Sequence, residues 1–115
     1  MTQSPIYHLA DADVFAAAQA AGAYEGTPAD RADGFIHFST AETVRESAAK
    51  HRAGQPNLLL LAVDPEALGP ALKWEAARGG VLFPHLYGTL PVSAVMSATP
   101  LPLDARGLHV FPDGF

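Results

Sequence analysis

The stretch Asp33-Gly34-Phe35-Ile36-His37-Phe38-Ser39-Thr40-Ala41-Glu42 sets a histidine, a serine and a threonine where a short strand hands over to a helix. Side chains alternate along a strand, so Phe35, His37 and Ser39 share one face while Ile36 and Phe38 take the other. Imidazole titrates near neutral pH, which suits His37 to general acid–base chemistry. Ser39 stands three residues before Glu42, the spacing of a capping box, and with Thr40 it reads as the cap of the following helix. Free amides at a helix N-terminus attract anions, so the same spot offers a place for a phosphate.

Of the five histidines, His8, His37 and His85 fall in segments that read as strands, whereas His51 lies near a helix end and His109 in the tail. One strand histidine is usually a hydrogen-bonded structural residue. Three on neighbouring strands, facing one way, would make a polar cleft or a three-histidine metal site. No His-x-x-x-His pair starts such a site, so no metal is expected. A hydrolytic serine lacks a Gly-x-Ser-x-Gly elbow, and Arg78-Gly79-Gly80 has neither a dinucleotide fingerprint nor a P-loop lysine. Glu75, beside Trp74, is either a carboxyl raised in pKa by apolar surroundings or the solvated end of a strand. Trp74 and Tyr87 either stack on a ligand ring or pack in the core.

The elements that must position these residues follow from patterning. Residues 5–9 read as a first strand, with Ile6, His8 and Ala10 on one face. Asp11 caps an alanine-rich helix over 12–21, with Val14, Phe15, Ala18 and Ala21 at helical spacing and Gly22 at its end. Residues 24–32 have loop composition and read as a surface flap over a site. The strand 35–38 leads into a second helix over 41–52, with Val44, Ala48 and His51 on its inner face and Gly54 closing it. The most apolar run, 58–63, reads as a fully buried central strand. A single helical turn over 64–69, strands over 71–75, 83–88 and 95–101, a turn at 78–80 and a bend at 91–94 follow, and the tail 108–111 is apolar enough to dock back. About six short strands and two main helices, both in the N-terminal half, make an α+β order with a split sheet.

Composition bounds the rest. A chain of 115 residues with 49% hydrophobic residues fits one packed domain over 1–115. Without cysteine there is no disulfide framework and no thiolate chemistry, which suits a reducing cytoplasm. The first thirty residues lack the pattern of a signal peptide, and the longest apolar run falls far short of the ~20 residues that span a bilayer. The expectation is a cytoplasmic protein with no membrane partner. A net charge of −5 and a pI near 5.3 argue against a nucleic-acid partner. Lys50, Arg52, Lys73, Arg78 and Arg106 form no run, though they suit one small anion.

Taken together, Ile6-Tyr7-His8-Leu9, Gly34-Phe35-Ile36-His37-Phe38-Ser39-Thr40, Trp74-Glu75, Phe83-Pro84-His85-Leu86-Tyr87-Gly88 and His109-Val110-Phe111-Pro112 resemble domain of unknown function 952 over nearly the whole chain. The resemblance implies a compact relative of the ADP-ribosyltransferases, a split α+β sheet around a nicotinamide-dinucleotide cleft. His8 then matches the first-strand histidine that holds a ribose. Phe38-Ser39-Thr40 is closer to the Ser-Thr-Ser segment of the arginine-serine-glutamate class. Where a catalytic glutamate is expected on the fifth strand, this chain has His85-Leu86-Tyr87, so any transferase activity would lack the usual glutamate unless Glu75 reaches in from a neighbouring strand.

The expected function is therefore an ADP-ribosyltransferase-like domain binding NAD or an ADP-ribose-containing small molecule, a nucleotide ligand, with His8, Ser39, Thr40 and Tyr87 as binding residues. His37, His85 and Glu75 are the candidate catalytic groups. Two alternatives stand beside it: an enzyme acting on another phosphorylated or glycosidic small substrate through histidine acid–base chemistry, and a non-enzymatic sensor or interaction module on the same fold.

Overall fold

The computed structural model describes residues 4–112 and Phe115. In chain order its strands are β1 (Ile6–Asp11), β2 (Ala23–Tyr24), β3 (Ile36–His37), β4 (Leu58–Val63), β5 (Leu72–Ala76), β6 (Leu82–Leu86), β7 (Leu90–Pro91) and β8 (Val95–Leu101). Its α-helices are α1 (Ala12–Ala21), α2 (Pro28–Asp33) and α3 (Val44–His51), with 3₁₀ turns at Pro65–Ala71, Arg78–Gly80 and Val92–Ala94.

The apolar run of β4 is central because it is buried on both faces. It lies between β1 and β8, antiparallel to each. Leu61 and Val63, with Leu59 against them, join Ile6, Ala10, Phe15, Tyr24, Ile36, Phe38 and Leu86 in the larger core. Leu60 turns the other way, to Leu9, Val44, Ala48 and Leu101, in a smaller core that Tyr7, Phe111 and Phe115 cover. Period-two alternation thus serves two cores at once, which is why the strand reads as continuously hydrophobic.

A second antiparallel sheet has the order β3-β6-β5, and β2 pairs with β7. One pair of backbone hydrogen bonds, Tyr7 N–H to Ser39 C=O at 2.8 Å and Ser39 N–H to Tyr7 C=O at 2.7 Å, joins the central sheet to the chain just after β3. Split antiparallel sheets and a few helices make this an α+β domain, the class expected. The tail docks as expected too, through the Leu103–His109 bridge and the Phe111 and Phe115 rings, over which the Arg45 guanidinium lies 5.4 Å from each centroid.

Several local expectations need correction. The segment 24–32 is no flap: it ends β2, then Thr27 accepts the Asp30 N–H and the Asp30 carboxylate accepts the Thr27 N–H, a true capping box with Pro28 at the first helical position. The capping box expected at Ser39 and Glu42 does not form. The Ser39 amide is committed to Tyr7, so the chain cannot enter a helix there, and α3 starts only at Val44 behind Thr43. That helix ends at His51 with Arg52, not Gly54, as its cap, and of the residues expected on its inner face Val44 and Ala48 are buried whereas His51 is exposed. Among the described residues the tally of six strands and two helices becomes eight and three, because β2 and β7 are two residues long and α2 is a polar helix of six. Helix α1 and its left-handed Gly22 cap match the sequence reading, but the Asp11 side chain makes no capping hydrogen bond, and Phe15 and Ala18 are buried while Val14 and Ala21 are exposed. Among the described residues no helix is long and apolar enough to cross a membrane.

Leu61 is fully buried in β4, so Leu61→Ala should lower the unfolding free energy by about 2–5 kcal/mol. Val14→Ala, at a position 42% exposed on α1, should stay within about 0.5 kcal/mol. Urea titration of both variants checks this, and equal losses would contradict the two-core layout.

Candidate functional site

Helix α2 exists to deliver one carboxylate. Its capping box turns the Asp30 side chain inward, where it is only 3% exposed. There Asp30 accepts hydrogen bonds from the Thr27 amide at 2.8 Å, the His37 amide at 3.2 Å and His37 Nδ1 at 2.5 Å. Burial pushes the Asp30 carboxyl up, but the His37 hydrogen bond and the two amides outweigh it and hold the group below the usual carboxylate range. Gly26 makes room: its φ is +92°, and a Cβ there would meet Asp30 Oδ2 at 2.7 Å.

His8 is equally buried and differently charged. Its Nδ1 lies 2.7 Å from the His37 carbonyl oxygen, which only accepts, so that nitrogen carries the hydrogen. Nε2 then accepts from the Tyr24 hydroxyl at 2.8 Å. Burial pulls the His8 pKa down against the raising influence of Asp30, 3.7 Å from Nε2, and it stays neutral. Burial, with Asp30 adding to it, pushes the Tyr24 phenol far above its ordinary value, so the phenol remains a donor. His8 thereby clamps β1, β2 and β3 together.

His37 stands at the surface end of this network, 41% exposed. Nδ1 faces Asp30 and Nε2 faces Asp33 Oδ2 at 3.0 Å, and the Asp30 hydrogen bond raises its pKa in spite of partial burial. Directly across the antiparallel β3–β6 pair is His85, the two ring centroids 5.6 Å apart and the planes near perpendicular. Phe35 stacks on His85 at 4.2 Å and packs on His37 at 4.6 Å.

His85 has a carboxylate of its own. Nδ1 donates to Glu75 Oε1 at 2.8 Å, and the Tyr87 hydroxyl donates to the same oxygen at 2.7 Å. These two bonds, the His85 one first, lower the Glu75 pKa, the reverse of the shift an apolar setting would give. Trp74 does not supply such a setting: it is 44% exposed and pairs with Pro84, while Lys73 and Glu75 take the alternate face of β5. The shared hydrogen bond raises the Tyr87 phenol.

A cleft of about 740 Å³ opens beside this cluster, lined among others by His8, Asp30, His37, Ser39 and His85. Ser39 Oγ donates to Ser47 Oγ at 3.1 Å, whereas Thr40 turns to the Thr43 hydroxyl and lies outside the lining. Glu75 and Tyr87 also lie outside it and reach the cleft through His85. Lys50 and Arg52 line one side, paired with Glu46 at 3.0 Å and with Asp11 at 3.1 Å. Among the described residues no group of three or more His, Cys, Asp or Glu side chains is placed to hold a metal ion. The expected trio of histidines is thus brought together, with Ser39 beside it. Sequence reasoning missed Asp30, Asp33 and Tyr24, although Thr27-Pro28-x-Asp30 carries the start signal of a helix.

The charge pattern makes stability depend on pH from both sides. His37, raised above 6.5, contributes fully below that pH and loses its contribution as pH climbs through its folded value. His8, lowered below 6.5, contributes above that pH and loses its contribution as pH falls through its folded value, and Asp30, lowered below 3.8, does so further down. Asp30→Asn should cost about 1–3 kcal/mol near neutrality and abolish most of the alkaline decline. Thermal unfolding from about pH 5 to about pH 9 tests this; an unchanged alkaline slope in the variant would show that Asp30 does not hold the His37 proton.

Comparison with known proteins places the chain. The crystal structure of protein CC0527 from Caulobacter crescentus is 50% identical, covers 93% of this chain and 94% of that one, and superposes with a TM-score of 0.90. The solution NMR structure of CC0527 gives 51% identity, coverage of 92% and 91%, and a TM-score of 0.81. No curated protein matches the chain. Residues 9–98 match the family described as protein of unknown function (DUF952), a span that starts just after His8 and takes in Asp30, His37, Ser39, Glu75 and His85. With more than three quarters of its length inside that match, the chain belongs to the DUF952 family.

Proposed function

We propose that the cleft binds a small nucleotide-type ligand, NAD or another ADP-ribose-containing molecule, and that His37 and His85 act on it as acid–base groups. The observation that carries this reading is the pair of imidazoles on adjacent strands, each oriented by its own carboxylate, beside a cleft of about 740 Å³. That volume falls within the range of about 300–1,000 Å³ common for small-molecule sites. Split antiparallel sheets suit an ADP-ribosylation-like fold, and Glu75 on β5 brings a carboxylate to His85 and Tyr87, the segment where the family resemblance expects a glutamate and this chain has none. In this reading Ser39 offers its hydroxyl and Tyr87 its ring at the edge of the site. His8, with both nitrogens engaged, serves the ligand by fixing the His37 backbone. A cytoplasmic setting fits a chain without cysteine.

A second reading, acid–base chemistry on another phosphorylated or glycosidic substrate, is favoured by one specific feature: His37 sits between two carboxylates that keep it charged. A thermal-shift panel of NAD, ADP-ribose, nicotinamide and inorganic phosphate separates the two, because a ligand at 100 times its Kd adds about 2.7 kcal/mol. NAD or ADP-ribose should raise the Tm, and His85→Ala should remove the rise. A shift with phosphate alone would transfer the case to the second reading. If no compound shifts the Tm, the nucleotide reading fails.

A further inference from the structure

The two imidazoles are not equivalent, and their hydrogen-bond partners say what each can do. An ionised carboxylate only accepts, so a nitrogen facing one must carry a hydrogen. His37 meets carboxylates on both sides, Asp30 at Nδ1 and Asp33 at Nε2, and therefore holds two hydrogens. The Nδ1 hydrogen is locked on the buried Asp30. The Nε2 hydrogen rests on Asp33, which is 54% exposed and can be displaced. His85 donates Nδ1–H to Glu75, so its neutral form carries the lone pair on Nε2, which has no partner among the described residues and is not sealed from solvent.

We infer that the cleft breaks a bond to an oxygen leaving group, a phosphoester or O-glycosidic link, with His37 as proton donor and His85 as proton acceptor. This rests on reading the cleft as a ligand site. A departing alkoxide or phosphate oxygen needs a proton as its bond breaks. Nicotinamide leaves NAD as a neutral base and needs none, so a charged imidazole held ready would be idle in that reaction. The ring separation of 5.6 Å is of the order, about 5–10 Å, that separates the two carboxyl groups of glycosidases across one reacting centre.

The step balances without redox change. The oxygen of water or an alcohol forms a bond to phosphorus or to the anomeric carbon as its proton passes to His85 Nε2. The bond to the leaving oxygen breaks, and that oxygen takes the Nε2 proton of His37 as Asp33 gives way. Solvent then returns the proton from His85 to His37. The groups that set these charges are Asp30 and Asp33 of α2, His8 of β1 and His85 of β6 around His37. Around His85 they are Glu75 and Lys73 of β5, Tyr87 and His37. Asp33 and Glu75 are positioning residues.

The proton inventory can be read directly by long-range nitrogen–proton NMR on the full chain with labelled imidazoles, at about pH 7. Expected are two protonated nitrogens on His37 and, for the neutral form of His85, the hydrogen on Nδ1 rather than on Nε2. Asp33→Asn should lower the pH at which His37 loses its proton, and Glu75→Gln should give His85 mixed tautomers. A neutral His37, or a hydrogen on His85 Nε2 alone, overturns the assignment. The reaction is read by incubating the protein with NAD and with ADP-ribose. Cleavage at the pyrophosphate or at a phosphoester bond, slowed about 10²–10⁴-fold by His37→Asn, supports it. Nicotinamide as the product from NAD, or no turnover of a probe that binds, overturns it. If neither probe binds, the nucleotide reading falls instead, and the spectra, which need no ligand, still decide the roles of His37 and His85.

Discussion

The buried carboxylate of Asp30 is the constraint on which the site depends. An ionised carboxylate taken out of water is unfavourable by several kcal/mol unless its oxygens are bonded and its charge is compensated. Here two amides and one imidazole supply the bonds, and the protonated imidazole supplies the charge. Each partner belongs to a different local problem. Thr27 starts α2, the His37 amide extends the end of β3, and His37 Nδ1 belongs to the cleft. Losing the carboxylate would loosen all three at once. The same requirement explains Gly26, where any side chain would occupy the space of the Asp30 oxygens.

Around that charge the buried neutral groups are arranged to avoid adding another. His8 approaches Asp30 to 3.7 Å, yet it spends both nitrogens elsewhere and burial keeps it uncharged. Tyr24 gives its hydroxyl hydrogen to His8 and so must stay protonated. The central sheet and the β3-β6-β5 sheet are joined by the Tyr7–Ser39 backbone pair and by His8 on the His37 carbonyl, and Tyr7, His8 and Ser39 all line the cleft beside them. The junction that joins the sheets is therefore the wall of the site.

How much of this the sequence revealed follows from the length and polarity of each segment. The run 58–63 and the helix 12–21 with Gly22 were legible because burial on both faces, or a full helical period with a left-handed cap, leaves a strong local mark. The shared face of His37 and Ser39 was legible from strand alternation, and both residues line the cleft. By contrast, β2 and β7 are two residues each, too short for any pattern. The false capping box at Ser39 and the true one at Thr27 show the local ambiguity well. Both have the spacing, but Pro28 occupies the first helical position in one, while in the other a strand pairing from residue 7 captures the Ser39 amide. Asp30 looked like one charge in a charged loop, because its role depends on its burial beside β1 and β3 and on the His37 imidazole, which only tertiary folding brings onto it.

The two carboxylate–imidazole pairs share a chemistry and differ in depth, and depth decides what each can do. Asp30 is buried with its oxygens saturated by donors, so it cannot take up a proton without breaking α2, and it can only hold His37 charged. Glu75 is solvated, sharing one oxygen between His85 and Tyr87, so it orients the imidazole without the enforced charge of a dry site. Antiparallel register then sets the two rings opposite one another, at His37 and His85, on strands whose other faces are anchored in the core by Ile36 and Leu86. An asymmetric pair of histidines is thus a direct consequence of placing one carboxylate on a capped, buried helix and the other on the open edge strand β5.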